Sequence, residues 1–117
     1  MGLIVQKFGG TSVRDRSRIF NVARIVANTR NAGNAVVVVV SAQGDTTDDL
    51  IAKAAEISAN PSDREMDMLL ATGEQISISL LTMALQELGG SAISLTGWQA
   101  GFATDRAYTK ARIRRIN

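Results

Sequence analysis

Leu3-Ile4-Val5-Gln6-Lys7-Phe8-Gly9-Gly10-Thr11-Ser12-Val13 runs from an apolar stretch through a lysine and two glycines to two hydroxyl residues, and an amphipathic helical pattern follows. A strand that opens through glycines into a helix is a common way to hold a phosphate. Glycine lets the backbone come close, exposed N–H groups point at the anion, and the helix start adds partial positive charge. Lys7 stands at the strand end, where its ammonium can reach that anion. The order is Lys, then Gly-Gly, then Thr-Ser. It fits neither the G-x-x-x-x-G-K-[ST] loop nor the G-x-G-x-x-G fingerprint, so the design is a different one.

Outward from this stretch, Leu3 to Phe8 reads as a buried strand. A helix starts between Ser12 and Ser17 and runs to about Arg30, with Ile19, Val22, Ala23 and Val26 at helical spacing. Asn31-Ala32-Gly33-Asn34 ends it. Ala35 to Val40 is almost pure valine, which predicts a strand covered on both faces. A polar loop from Ser41 to Thr47 follows, then a helix with Leu50, Ile51, Ala54, Ala55 and Ile57 as its apolar positions, stopped by Asn60-Pro61. Ser62-Asp63-Arg64-Glu65 is a capping box that opens a long helical pattern through Met66, Leu69, Leu70, Ile76, Leu80, Leu81, Ala84 and Leu88, closed by Gly89-Gly90. Gly73 in its middle costs about 1 kcal/mol relative to Ala. That cost predicts a break, a close packing contact or a ligand near the backbone. Ser91 to Leu95 reads as a strand, Thr96 to Gly101 as a loop, and Ala111 to Ile116 as a final strand. This β-α-β-α-α-β order predicts an α/β fold, a mainly parallel sheet with helices on both faces. Ligands bind such sheets at the carboxyl ends of strands. Lys7–Ser12, Ser41–Asp49 and Thr96–Gly101 are the loops there.

The 117 residues allow one domain with a modest core; 45% hydrophobic and 21% charged residues are ordinary for a globular chain. No apolar run reads as a bilayer span, and no signal peptide is apparent at the start. With no cysteine there is no disulfide or thiolate chemistry, and a cytoplasmic location is expected. With no histidine a Ser-His-Asp hydrolase is excluded, and no metal site is expected from the side chains. Net charge is only +2. Arg106, Lys110, Arg112, Arg114 and Arg115 cluster near the end, but only Tyr108 interleaves them, so no nucleic-acid partner is expected.

Four segments carry a family resemblance. Lys7-Phe8-Gly9-Gly10-Thr11-Ser12 is similar to the opening signature of the aspartokinases, and Val38 through Leu50, with Ser41-Ala42-Gln43-Gly44-Asp45-Thr46-Thr47-Asp48-Asp49 at its centre, to their second. Arg64 through Ser77 resembles the third, and Thr96-Gly97-Trp98-Gln99-Ala100-Gly101 a fourth. Their order and spacing agree, and the resemblance covers essentially the whole chain. Gln43 stands where that family usually has Met. The resemblance implies a three-layer αβα amino-acid kinase fold, of which residues 1–117 are the N-terminal part, without the regulatory ACT domains.

It also implies a reaction: transfer of the γ-phosphoryl of ATP, with Mg²⁺, to the side-chain carboxylate of L-aspartate, for lysine, threonine and methionine biosynthesis. That carboxylate has an ordinary pKa near about 3.9, is anionic at neutral pH, and needs no general base. The missing histidine is therefore no obstacle. The task is positioning and charge neutralisation. By the resemblance, Lys7 is catalytic, and Lys7, Phe8, Gly9, Gly10 and Ser41 hold ATP and its phosphates. Asp45, Thr46, Thr47, Asp48, Asp49 and Glu74 form the aspartate side, with Glu74 receiving its ammonium. On the residues alone, Lys7 is equally a strand-end lysine, Thr46 or Thr47 a helix cap, and Glu74, in an otherwise apolar surface where a carboxylate is costly if buried unpaired, a surface glutamate on the polar face of its helix. A homo-oligomer without a membrane partner is expected. The competing readings are a non-catalytic binding or assembly module, or a kinase of another amino acid.

Overall fold

The computed structural model describes residues 2–97, 99–104 and 113–116, with residues 102–104 and 113–116 described by their backbone. Strand β1 (Leu3–Phe8) leads through a single 3₁₀ turn (Gly10–Val13) into helix α1 (Arg16–Asn31), which returns the chain to strand β2 (Ala35–Val40). β1 and β2 pair in parallel from Leu3↔Ala35 to Phe8↔Val40. A parallel pair requires such a crossover, and α1 supplies it. Asp15 caps α1 by accepting from the Arg18 N–H at 2.9 Å, and Gly33 (φ +99°) turns the chain out of it. All four positions expected on its inner face, Ile19, Val22, Ala23 and Val26, are buried.

Helix α2 (Thr46–Ile57) and the 25-residue helix α3 (Asp63–Glu87) follow. Ser62 caps α3 as its sequence predicts, accepting from the Glu65 N–H at 3.4 Å. α3 runs unbroken through Gly73 and buries a seam of Gly73, Ser77, Leu81 and Ala84. It packs against α1, α2 and β2. By length and composition alone α3 is apolar enough to cross a membrane, a property the sequence reading did not assign to it. Of that apolar stretch 22% is buried, and Met68, Ile76, Leu80 and Met83 are exposed. The core joins Val13, the α1 stripe, Val40, Leu81 and Ala84, with Phe8, Phe20, Val36, Val38, Ile78 and Leu85 packed against it.

Two expectations are corrected, the two-sided cover of Ala35 to Val40 and the strand at residues 91–95. Among the described residues the β1–β2 pair is covered on one face only. Gln6, Phe8, Val36, Val38 and Val40 turn toward the helices, while Leu3 and Val5 (68% and 65% exposed) and Val37 and Val39 (48% each) lie on the open face. α2 is a surface helix with no fully buried residue; Leu50 and Ala54 are half-buried, and Ile57 is 88% exposed. Residues 91–95 form no strand. Ala92 and Ser94 are half-buried while Ile93 and Leu95 are exposed, so the period of two survives without a ladder partner. Beyond a turn closed by Ala100 N–H to the Thr96 carbonyl (2.9 Å), β3 (Phe102–Thr104) pairs antiparallel with β4 (Ile113–Ile116). β4 falls within the final strand expected from the sequence; residues 105–112, including most of the basic cluster, and Trp98 lie outside the described residues.

Candidate phosphate and substrate loops

β1 and β2 run parallel and end in register at Phe8 and Val40, so the segments that follow them leave the sheet side by side. Ser41 N–H donates to the Phe8 carbonyl at 3.2 Å, extending the ladder by one step. Gly44 N–H then donates to the Gly10 carbonyl at 3.0 Å, and the Gln43 side-chain amide donates to the Val13 carbonyl at 2.9 Å. The loop after β2 is thereby fastened to the turn after β1. Arg14 completes the contact from the other side: its stem packs on Gly44, and its guanidinium stands 3.9 Å from Asp45. Both side chains are more than half exposed, so this last tie is a weak one.

The two glycines do different work. A Cβ on Gly10 would lie 2.4 Å from the Ala42 carbonyl oxygen, a separation side chains do not adopt. Gly10 is therefore required for packing between the loops. A Cβ on Gly9 would meet nothing within 4 Å, and the space beside its extended backbone (φ −76°, ψ 173°) is open. Gly73 repeats the Gly10 logic from the other side. Its Cβ would come within 2.9 Å of the Ala42 Cβ and 3.4 Å of the Thr46 methyl. The close packing contact is the outcome among the three that its position in a helix predicted, and it seats the middle of α3 against the loop.

Lys7 is exposed on the open sheet face, opposite Val39 in the ladder. The Phe8 side chain turns inward and packs on the core, which leaves its backbone at the loop. Ser41 is half-buried. Asp45 occupies the N-cap position of α2 without capping it, and neither Thr46 nor Thr47 caps the helix. The capping reading of these threonines is thereby set aside, and the exposed hydroxyl of Thr47 is not engaged in a cap. Thr47, Asp48 and Asp49 stand exposed on the first turn, the positive end of the α2 dipole. Glu74 follows the buried Gly73 but is itself exposed, so the burial cost anticipated for it does not arise. Among the described residues its carboxylate forms no ion pair or side-chain hydrogen bond, and neither does the Lys7 ammonium. No group of three or more Asp or Glu that could hold a metal ion occurs among the described residues.

β1, β2, α2 and α3 thus bring Gly9, Gly10, Ser41 and residues 45–49 to one end of the sheet, with Gly73 packed against Ala42 and Thr46 there and Glu74 exposed next to it in α3. Thr96–Gly101 forms its own turn, with Thr96 N–H bonded to Gln99 Oε1 at 3.0 Å and Gln99 N–H to Thr96 Oγ1 at 3.3 Å. What the sequence reading missed is the set of residues that lock the loops: Gln43, Ala42 and Arg14. A polar residue within a polar loop carries no periodic signal, and its partner carbonyl lies in a different segment.

Known proteins resemble this chain along its full length. It is 62% identical over 116 residues to the aspartokinase of Bacillus sp. (strain MGA3), covering 99% of this chain and 28% of that protein. Aspartokinase 2 of Bacillus subtilis (strain 168) is 58% identical over 117 residues, 100% of this chain and 29% of that protein. The crystal structure of aspartate kinase from Synechocystis superposes with a TM-score of 0.81 at 61% identity, over 85% of this chain and 17% of that one. The chain therefore spans somewhat under a third of the length of the curated relatives it matches. Residues 2–117 match the sequence profile of the amino acid kinase family, and the chain belongs to that family.

Proposed function

We propose that this chain supplies the phosphate loop and part of the acceptor site of an ATP-dependent kinase that phosphorylates the side-chain carboxylate of L-aspartate. One observation carries the reading. Two loops, one opening with Gly9-Gly10 behind the strand that carries Lys7 and one carrying hydroxyl and carboxylate groups from Ser41 to Asp49, are fastened together at the carboxyl end of a parallel strand pair. In-line transfer between two anions asks for that arrangement: donor and acceptor held at fixed separation, with cationic and N–H groups on the phosphate side. The names of the relatives given above, two aspartokinases and an aspartate kinase, support the choice of acceptor.

In this reading Gly9 lets phosphate oxygens approach the backbone, since the space beside it is open. The Lys7 ammonium neutralises charge on the phosphoryl group as it moves. The Ser41 hydroxyl faces the nucleotide. Residues 45–49 and the Thr47 hydroxyl hold the aspartate, and Glu74 takes its ammonium. Mg²⁺ would accompany the nucleotide phosphates; the described residues offer it no cluster of carboxylates, and such ions are commonly held by phosphates with one or two protein ligands. A cytoplasmic homo-oligomer active in amino-acid biosynthesis fits the same reading. A coupled ADP-release assay on the protein as its gene encodes it, with aspartate, glutamate or a nucleoside monophosphate as acceptor, tests it. Turnover with aspartate that falls at least about tenfold in kcat for Lys7→Ala is expected. Turnover with another acceptor alone would replace the reading by that of a different amino-acid kinase.

A further inference from the structure

We infer that Gln43 is a positioning residue for phosphoryl transfer: its side-chain amide holds the acceptor loop after β2 at a fixed separation from the phosphate loop after β1. The inference rests on the kinase reading given above. Gln43 faces a carbonyl, so the group it presents is the amide N–H, at 2.9 Å from the Val13 oxygen. Val13 is wholly buried in the core, which makes it a fixed anchor. On the other side, Gly44 N–H is bonded to the Gly10 carbonyl, and the Ala42 carbonyl lies where a Gly10 side chain would be. Ala42, Gln43 and Gly44 therefore meet the first loop at three consecutive residues: a steric stop, a side-chain bond and a backbone bond. Only the middle one depends on a side chain.

Gln43 belongs to neither set of residues assigned to ATP or aspartate. Its loss should leave the residues assigned to ATP and to aspartate able to bind while loosening the mutual placement of the two loops. Near-attack geometry is sensitive at this level, since a displacement of about 1 Å can cost on the order of a hundredfold in rate. Gln43→Met keeps the unbranched stem, removes the donor and sets at 43 the residue usual in the resembled family, so the loss expected below belongs to this chain, whose loops are tied by the amide bond to Val13.

The test uses the protein as its gene encodes it and reads two quantities. The first is amide hydrogen exchange at Gly44. The second is steady-state kinetics, with kcat expressed per nucleotide site counted by titration with a non-hydrolysable ATP analogue. Gln43→Met is expected to speed exchange at Gly44 by about tenfold. It is expected to lower kcat per site by about three- to tenfold, with KM for ATP and for aspartate unchanged within about twofold. Unchanged exchange overturns the inference. Unchanged kcat per site overturns it as well, whatever happens to the melting temperature, and a raised KM at constant kcat would instead make Gln43 a binding residue. Should Gln43→Met fail to fold, Gln43→Glu matches the shape, sets a carboxylate against the Val13 carbonyl, and carries the same readouts. If the unmodified protein shows no aspartate-dependent turnover, the kinase reading fails by itself, and the exchange comparison still decides whether Gln43 holds the loops.

Discussion

At the scale of single residues, the adjacent glycines separate two causes that a sequence motif merges. Gly-Gly after a strand reads as one device for bringing backbone to a phosphate. Gly10, however, is fixed by the Ala42 carbonyl, 2.4 Å from where its side chain would begin, whereas Gly9 borders open space. No local pattern distinguishes them, because the atom that excludes a side chain at Gly10 belongs to another loop. Gly10→Ala should destabilise the fold by about 1–3 kcal/mol, the usual cost of overpacking, read as a fall in the urea midpoint. Gly9→Ala should leave that midpoint nearly unchanged, since its backbone angles suit any residue. It should instead weaken ATP binding about tenfold by calorimetry, as the added methyl blocks a charge-assisted bond to phosphate. A Gly9→Ala protein that binds ATP normally would remove Gly9 from the phosphate site.

At the scale of elements, much was legible. The β1–α1–β2 unit, the α1 stripe and the Ser62 cap follow from periodicity and capping chemistry, which are local. The failures share a cause. Whether residues 91–95 form a strand, and whether Val37 and Val39 are covered, depends on partners elsewhere rather than on the segment. Gly73 lies between these cases: its cost in a helix signalled a reason, and the reason was the Ala42 contact. Ala in its place gains about 1 kcal/mol of helix propensity but must displace Ala42 or shift α3. Gly73→Ala is therefore expected to lower stability by about 0–2 kcal/mol net and to lower kcat more than either KM, since the displaced loop is the one Gln43 holds. Increased stability with unchanged turnover would show that the loop yields freely and that its placement does not matter.

At the scale of the whole molecule, the sheet presents Leu3, Val5, Val37 and Val39 on one open face, and Ile93 and Leu95 are exposed on a segment without a ladder partner. Contiguous apolar surface and unpaired edges of this kind pair with whatever fits them. The 117 residues in isolation are expected to self-associate at micromolar concentration, by light scattering, and to show no aspartate kinase turnover. Val5→Lys with Val37→Lys should reduce the association without disturbing the buried face. A clean monomer of the unmodified chain would contradict the prediction. The larger share of the candidate site was legible as composition: a strand-end lysine with two glycines after β1, hydroxyls and carboxylates after β2. Their separation was not, because it is set by three contacts between segments that the sequence keeps apart.

The central claim, that separate residues of this site serve phosphate and aspartate, is tested most directly at Glu74. Its carboxylate is exposed beside the buried Gly73 and unengaged among the described residues. Glu74→Gln keeps the shape and removes the charge that would receive an ammonium. Steady-state kinetics of the protein as its gene encodes it should show KM for aspartate raised about ten- to hundredfold, the range for a hydrogen bond to a charged group, with KM for ATP nearly unchanged. Equal loss of ATP and aspartate affinity in a variant whose circular dichroism is unaltered, or no loss of either, would contradict the account.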